Sequence, residues 1–146
     1  MSPVPFLREE FGYVMLCVVY AIVHNIYLAV KVGRARKQYD IQPPALYSEK
    51  QPLFNCIQRA HQNYIEQLPV FFALLIVVGL AYPIYAAICG AIFVTGRFSY
   101  ARGYYTGDPE KRLNGSYGMI GFFGLLLGVV YVGIRQLGFM DKYLIF

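Results

Sequence analysis

Five polar side chains in an otherwise apolar stretch have the types and spacing of a binding site. Asn55, Arg59, Gln62, Asn63 and Glu66 stand at offsets −4, 0, +3, +4 and +7 from Arg59. On a helix they share one arc about 100° wide. Arg97, Tyr100 and Tyr104 repeat the pattern at 0, +3 and +7, with Lys111 and Arg112 just beyond. Guanidinium groups grip carboxylates through paired hydrogen bonds. Two readings follow from the spacing. Arg59 and Glu66 could neutralise each other in a structural polar core, with the tyrosines as interfacial anchors. Alternatively, Arg36, Arg59, Arg97 and Arg112 outnumber Glu66, so an empty cavity between them would be positive and would take an anionic guest.

The elements that must carry these residues are transmembrane helices. The chain of 146 residues is 58% hydrophobic and only 14% charged, whereas soluble domains run near 45–50% apolar and about 25% charged. Gly12 to Val30 is free of charge and matches the about 20 residues needed to cross a bilayer core. A basic, proline-containing loop is expected from Lys31 to about Lys50. Pro52 suits the first turn of a second helix, polar through Glu66 and apolar from Gln67 to Tyr82, with a kink expected at Pro69. Pro83 leaves room for only a tight turn before a third helix, which reaches about Tyr105 and ends at Gly107-Asp108-Pro109. A fourth runs from Gly115 to Ile134. The expected fold is an all-α integral membrane bundle of four transmembrane helices, one domain over residues 1–146. An unpaired charge at Arg59 or Glu66 in such a setting costs about 2.5–3.5 kcal/mol, so the polar stripe must face protein or a wet cavity.

Charge orients the bundle. The segments Lys31 to Arg59 and Arg97 to Arg112 hold Lys or Arg at 31, 34, 36, 37, 50, 59, 97, 102, 111 and 112; the terminal side holds Arg8, Arg135 and Lys142. That bias places both long loops in the cytosol. The net charge of +5 thus reads as membrane topology and not as a nucleic-acid footprint. The first helix, preceded by Glu9 and Glu10, reads as an uncleaved signal anchor. Cys17, Cys56 and Cys89 lack metal-like spacing, and no carboxylate or second histidine stands at ligand spacing from His24 or His61, so no metal site is expected. His24 and Asn25 read as interhelical hydrogen-bond partners, and Gly121, Gly124 and Gly128 as positions of close helix packing. Arg135 and Lys142 read as snorkelling at the far interface.

The run Phe54-Asn55-Cys56-Ile57-Gln58-Arg59-Ala60-His61-Gln62-Asn63, continued by Glu66 and Pro69, resembles the second-helix signature of the membrane-associated proteins in eicosanoid and glutathione metabolism. Gly103-Tyr104-Tyr105-Thr106-Gly107 with Lys111-Arg112 resembles the microsomal glutathione S-transferase 3 branch of that family. The likeness extends from Ala35-Arg36-Lys37 to the fourth helix. It implies a homotrimer in the endoplasmic reticulum or another intracellular membrane, with glutathione as co-substrate bound between adjacent subunits near the cytosolic side. By position, Arg59, Asn63, Glu66 and Tyr100 would hold its carboxylates and amino group, with Tyr104 nearby. Arg36 and His61 would reach it from the neighbouring subunit; His61 stands about 200° around the helix from Arg59. Arg112 would activate the thiol, with Lys111 the alternative, because one more residue separates Tyr104 from this arginine than in leukotriene-synthase relatives. Gln58 and Gln67 stand where those relatives have tyrosines.

The activity so implied is glutathione transfer to a lipophilic substrate arriving from the bilayer, or reduction of a lipid hydroperoxide, with leukotriene C4 synthase-type chemistry within range. Two other functions fit a four-helix membrane protein. One is a non-enzymatic relative that presents a fatty acid to another enzyme; Arg59 argues against it, since that relative lacks the arginine. The other is a channel or transporter subunit, against which the clustering of charge at the cytosolic half argues.

Overall fold

The computed structural model describes residues 7–138; Lys142 lies outside them. Among the described residues, four helices are long and apolar enough to cross a membrane. They are α1 (Phe11–Tyr39), α2 (Pro52–Ala81), α3 (Pro83–Tyr104) and α4 (Gly118–Gln136), with a short 3-10 segment, Pro109–Gly115, between the last two.

The proline punctuation holds. Pro52 and Pro83 each open a helix, where the missing N–H costs nothing. Two boundaries differ from the sequence reading. The expected loop from Lys31 is helical as far as Tyr39. The run from Lys31 to Tyr39 contains no proline, and Arg36 and Lys37 fall in the last turn, where cations complement the helix dipole. The helix stops at Asp40, whose φ of 51° is left-handed, a conformation that Asp and Asn tolerate better than most residues. At the other end, the chain from Pro109 to Gly115 is 3-10, and α4 starts at Gly118 instead of Gly115. Helix α2 runs on through Pro69; freed backbone groups at such a proline are re-satisfied by neighbours in a membrane bundle.

Helix α3 is the hub, packing on α1, α2, α4 and the 3-10 segment. The core between the helices is aromatic. Phe71 of α2 stacks on Phe93 of α3 with ring centroids 4.5 Å apart. Buried Tyr64 donates its hydroxyl to the Ala21 carbonyl of α1 at 3.1 Å, tying α2 to α1 at the depth of the polar stripe. Outward positions stay apolar: Leu16, Ile120 and Leu127 are each about two-thirds exposed, as a lipid-facing surface requires.

Glycine sets how closely α4 approaches. A Cβ on Gly121 would run into the Cys89 carbonyl and crowd the Phe93 amide at 2.8 Å, and on Gly128 it would meet Val78 at 3.0 Å. We expect Gly121→Leu to push α4 from α3 and destabilise the bundle by at least about 1–3 kcal/mol, the usual range for overpacking. A thermal midpoint in detergent equal to that of the unaltered protein would show the contact to be dispensable.

Candidate functional site

The polar stripe of α2 divides when the side chains are followed to their partners. Asn55 at the top is a structural clasp: its amide donates to the Ser48 carbonyl at 2.7 Å and its oxygen accepts from the Ser48 N–H at 2.8 Å. Gln62 accepts from the Tyr47 hydroxyl at 2.7 Å. These two pin the α1–α2 loop against α2. Arg59 and Glu66 form an ion pair, Nη1 to Oε1 at 3.1 Å, with side chains 41% and 46% exposed. The mutual neutralisation considered from spacing is therefore realised, but on an open face, where such a pair contributes little stability.

Asn63 turns toward α3. Its Oδ1 accepts from Nη2 of Arg97 at 2.6 Å. The Arg97 guanidinium lies over the Tyr100 ring, 3.9 Å from its centroid, and the residue is only 5% exposed. Its Nε is buried with no hydrogen-bond partner. The ion pairs among the described residues are Arg8–Glu10 and Arg59–Glu66, so no carboxylate neutralises Arg97.

These side chains border a cavity of about 230 Å³ lined by Asn63, Gln67, Arg97, Tyr100, Arg112 and Met119, among others. Gln58, one helical face away, is buried with its Oε1 unpartnered. Arg112 reaches the cavity because the 3-10 segment is pressed flat against α3. At Gly103 a Cβ would collide with the Lys111 carbonyl, and Gly115 packs directly on the Gly96 carbonyl and the Tyr100 amide. Arg112 donates from Nη1 to the Pro109 carbonyl at 3.0 Å and stands 5.9 Å from the Tyr104 ring centroid. Tyr104 in turn meets Tyr100 edge-on at 5.2 Å. Lys111 is exposed and does not line the cavity.

Within one chain, then, Asn63, Tyr100 and Arg112 come together with Tyr104 behind them, while Arg59 and Glu66 lie on a neighbouring open face. Arg36 and His61 point elsewhere. Arg36 lies 5.4 Å from the centroid of the Phe54 ring and donates to the Ile41 carbonyl at 3.5 Å. His61 shares a 3.2 Å hydrogen bond with Asn25 of α1. Asn25 is thus the interhelical partner its sequence position suggested. His24 is not. It is fully buried, 3.8 Å from Phe98 and 4.7 Å from Tyr64 between ring centroids, and neither ring nitrogen finds a partner. Aromatic packing, not hydrogen bonding, holds it.

Residues 14–134 match the model of the MAPEG family. The chain belongs to that family. Among MAPEG relatives, it is 34% identical to microsomal glutathione S-transferase 2 of Homo sapiens over 81% of this chain and 78% of that protein. The mouse protein of the same name is 35% identical over 82% and 80%. Leukotriene C4 synthase of Bos taurus is 26% identical over 88% and 84%. The MAPEG match reaches into all four helices, and every residue that lines the cavity lies inside it. Of the four arginines that the sequence groups around a positive cavity, Arg97 and Arg112 line it, and Gln67 joins them as a wall. The α3 spacing put Arg97 on the correct face, but only packing shows that it is buried without a counterion.

Proposed function

We propose that this protein is a membrane glutathione transferase with glutathione-dependent peroxidase capacity, acting on lipophilic electrophiles or lipid hydroperoxides. The observation that carries the reading is the cavity: two uncompensated guanidinium groups, Arg97 and Arg112, beside Asn63 and Tyr100 in an apolar bundle. Such a site demands an anion, and glutathione, a tripeptide with two carboxylates and an ionisable thiol, suits it. The names of the relatives, glutathione S-transferase and leukotriene C4 synthase, agree.

In this reading Arg59, Asn63, Glu66 and Tyr100 hold the carboxylates and amino group, with Tyr104 supporting Tyr100. The cavity of one chain is smaller than the about 300–1,000 Å³ of typical ligand pockets. A neighbouring subunit of a homotrimer, bringing Arg36 and His61, would complete it. Arg112 stabilises the thiolate. A free thiol with a pKa near 8.5 is only a few per cent ionised at neutral pH. Lowering that pKa by about two units takes about 2.7 kcal/mol, within reach of one charge-assisted hydrogen bond in a dry site. In transfer, a carbon–sulfur bond forms and the leaving group departs with its electron pair. In peroxide reduction, the sulfur attacks the distal oxygen, the O–O bond breaks, and the alcohol leaves. A second glutathione then reduces the resulting sulfenic acid to disulfide and water. The positive loops face the cytosol, in the endoplasmic reticulum or another intracellular membrane. The Gly103–Gly107 segment and the Lys111-Arg112 pair support the microsomal glutathione S-transferase 3 branch.

The test is a pair of assays on purified protein: conjugation of glutathione to a chlorinated nitrobenzene, and glutathione-dependent reduction of a fatty-acid hydroperoxide. Turnover in either is the expected result. Binding of fatty acid with no turnover in both would favour the presenting protein of the same fold.

A further inference from the structure

We propose that Arg97 is itself an anion-receiving residue, one that takes a carboxylate of the guest and is held charged and unpaired for that purpose. It stands outside the ligand set that the family resemblance implies. Its side chain is 95% removed from solvent (5% exposed) and walls the cavity. Asn63 and the Tyr100 face account for Nη2 and for the flat of the guanidinium. Nothing accounts for Nε, which is buried and unpartnered, and the neighbouring Arg112 adds like charge. A guanidinium placed only to support the bundle would be matched by a carboxylate, as Arg59 is by Glu66. Arg97 lacks that match, and the space beside it is a cavity. Its neighbours hold it rigid: Tyr64, whose ring centroid lies 5.8 Å away, is anchored to α1 through Ala21. An unpaired charge of this kind weakens the empty protein and strengthens the loaded one, a trade of stability for binding.

The inference deepens the proposed glutathione reading, and two variants of the full chain in detergent test it. Arg97→Gln removes the charge while keeping a polar amide about where Nε stands. It should raise the dissociation constant for glutathione at least about tenfold, while the ligand-free thermal midpoint holds or rises by roughly 2–4 °C. Asn63→Asp installs a carboxylate where the 2.6 Å acceptor now stands; it should raise the ligand-free midpoint and weaken glutathione binding. Arg97→Gln protein that binds glutathione within about twofold of the unaltered protein would overturn the inference. So would a lowered midpoint in Asn63→Asp, which also decides the matter if Arg97→Gln fails to fold. The Asn63→Asp midpoint needs no ligand. Failure of the unaltered protein to bind glutathione would therefore count against the proposed function alone.

Discussion

Replacing Arg112 with alanine is expected to leave glutathione bound while returning its thiol to the solution pKa. If Arg112 lowers that pKa by about two units, to about 6.5, about three-quarters of the bound thiol is ionised at pH 7; at about 8.5 the fraction falls to about 3%, a loss of roughly 25-fold in the reacting species. The sign is fixed by charge: a guanidinium favours the thiolate, so its removal raises the pKa and moves the rise of activity to higher pH. Binding should survive because the residues proposed to hold the carboxylates lie on α2 and α3 and not on the 3-10 segment. Arg112 depends on that segment wholly. Gly103 and Gly115 press it onto α3, and the Pro109 carbonyl orients one guanidinium nitrogen. A spectroscopic titration of the bound thiolate measures the effect directly. An unchanged titration curve would remove Arg112 from the role and turn attention to Lys111, whose exposed side chain would need a neighbouring subunit to enclose it.

Arg59→Ala should act on affinity instead. A charge-assisted hydrogen bond contributes about 1.5–3 kcal/mol, which corresponds to roughly 10- to 150-fold in a dissociation constant. Because the Arg59 side chain is 41% exposed in the single chain, the lower end applies unless a second subunit covers it. Glu66 adds to the effect: without its partner it becomes an unneutralised anion facing an anionic guest. Calorimetric titration should therefore show a dissociation constant raised about tenfold or more, with the thiolate pKa of whatever binds unchanged. This separation between Arg59 and Arg112, affinity against ionisation, distinguishes a binding residue from an activating one. A titration that leaves the dissociation constant unaltered would confine Arg59 to its ion pair with Glu66.

Patterns local in the chain were readable before any packing was known. Uncharged runs near 20 residues, Pro52 and Pro83 at helix starts, and the one-sided stripe on α2 follow from helical geometry and the chemistry of a bilayer, neither of which needs a tertiary fold. The family signature was equally local. The two displaced boundaries have a local cause too: at Lys31 clustered charge mimics a loop, although Lys and Arg are good helix formers and favour a helix C-terminus. At Gly115 an uncharged run mimics the start of a helix, although the backbone there is spent on contact with α3.

The sequence by itself determined that the chain enters a membrane as four helices, and which residues share a face. Only the tertiary structure decided which partner each member of the stripe meets. Asn55 and Gln62 hold a loop, His24 sits among aromatic rings, and Arg59 answers Glu66, whereas Asn63 turns inward to Arg97. Helical spacing reports direction around an axis but not the neighbour met in that direction. Whether a charge is neutralised, exposed or buried alone depends on that neighbour. For Arg97 and Arg112 it is a cavity, bounded by residues that only close packing of glycine backbones could bring within reach.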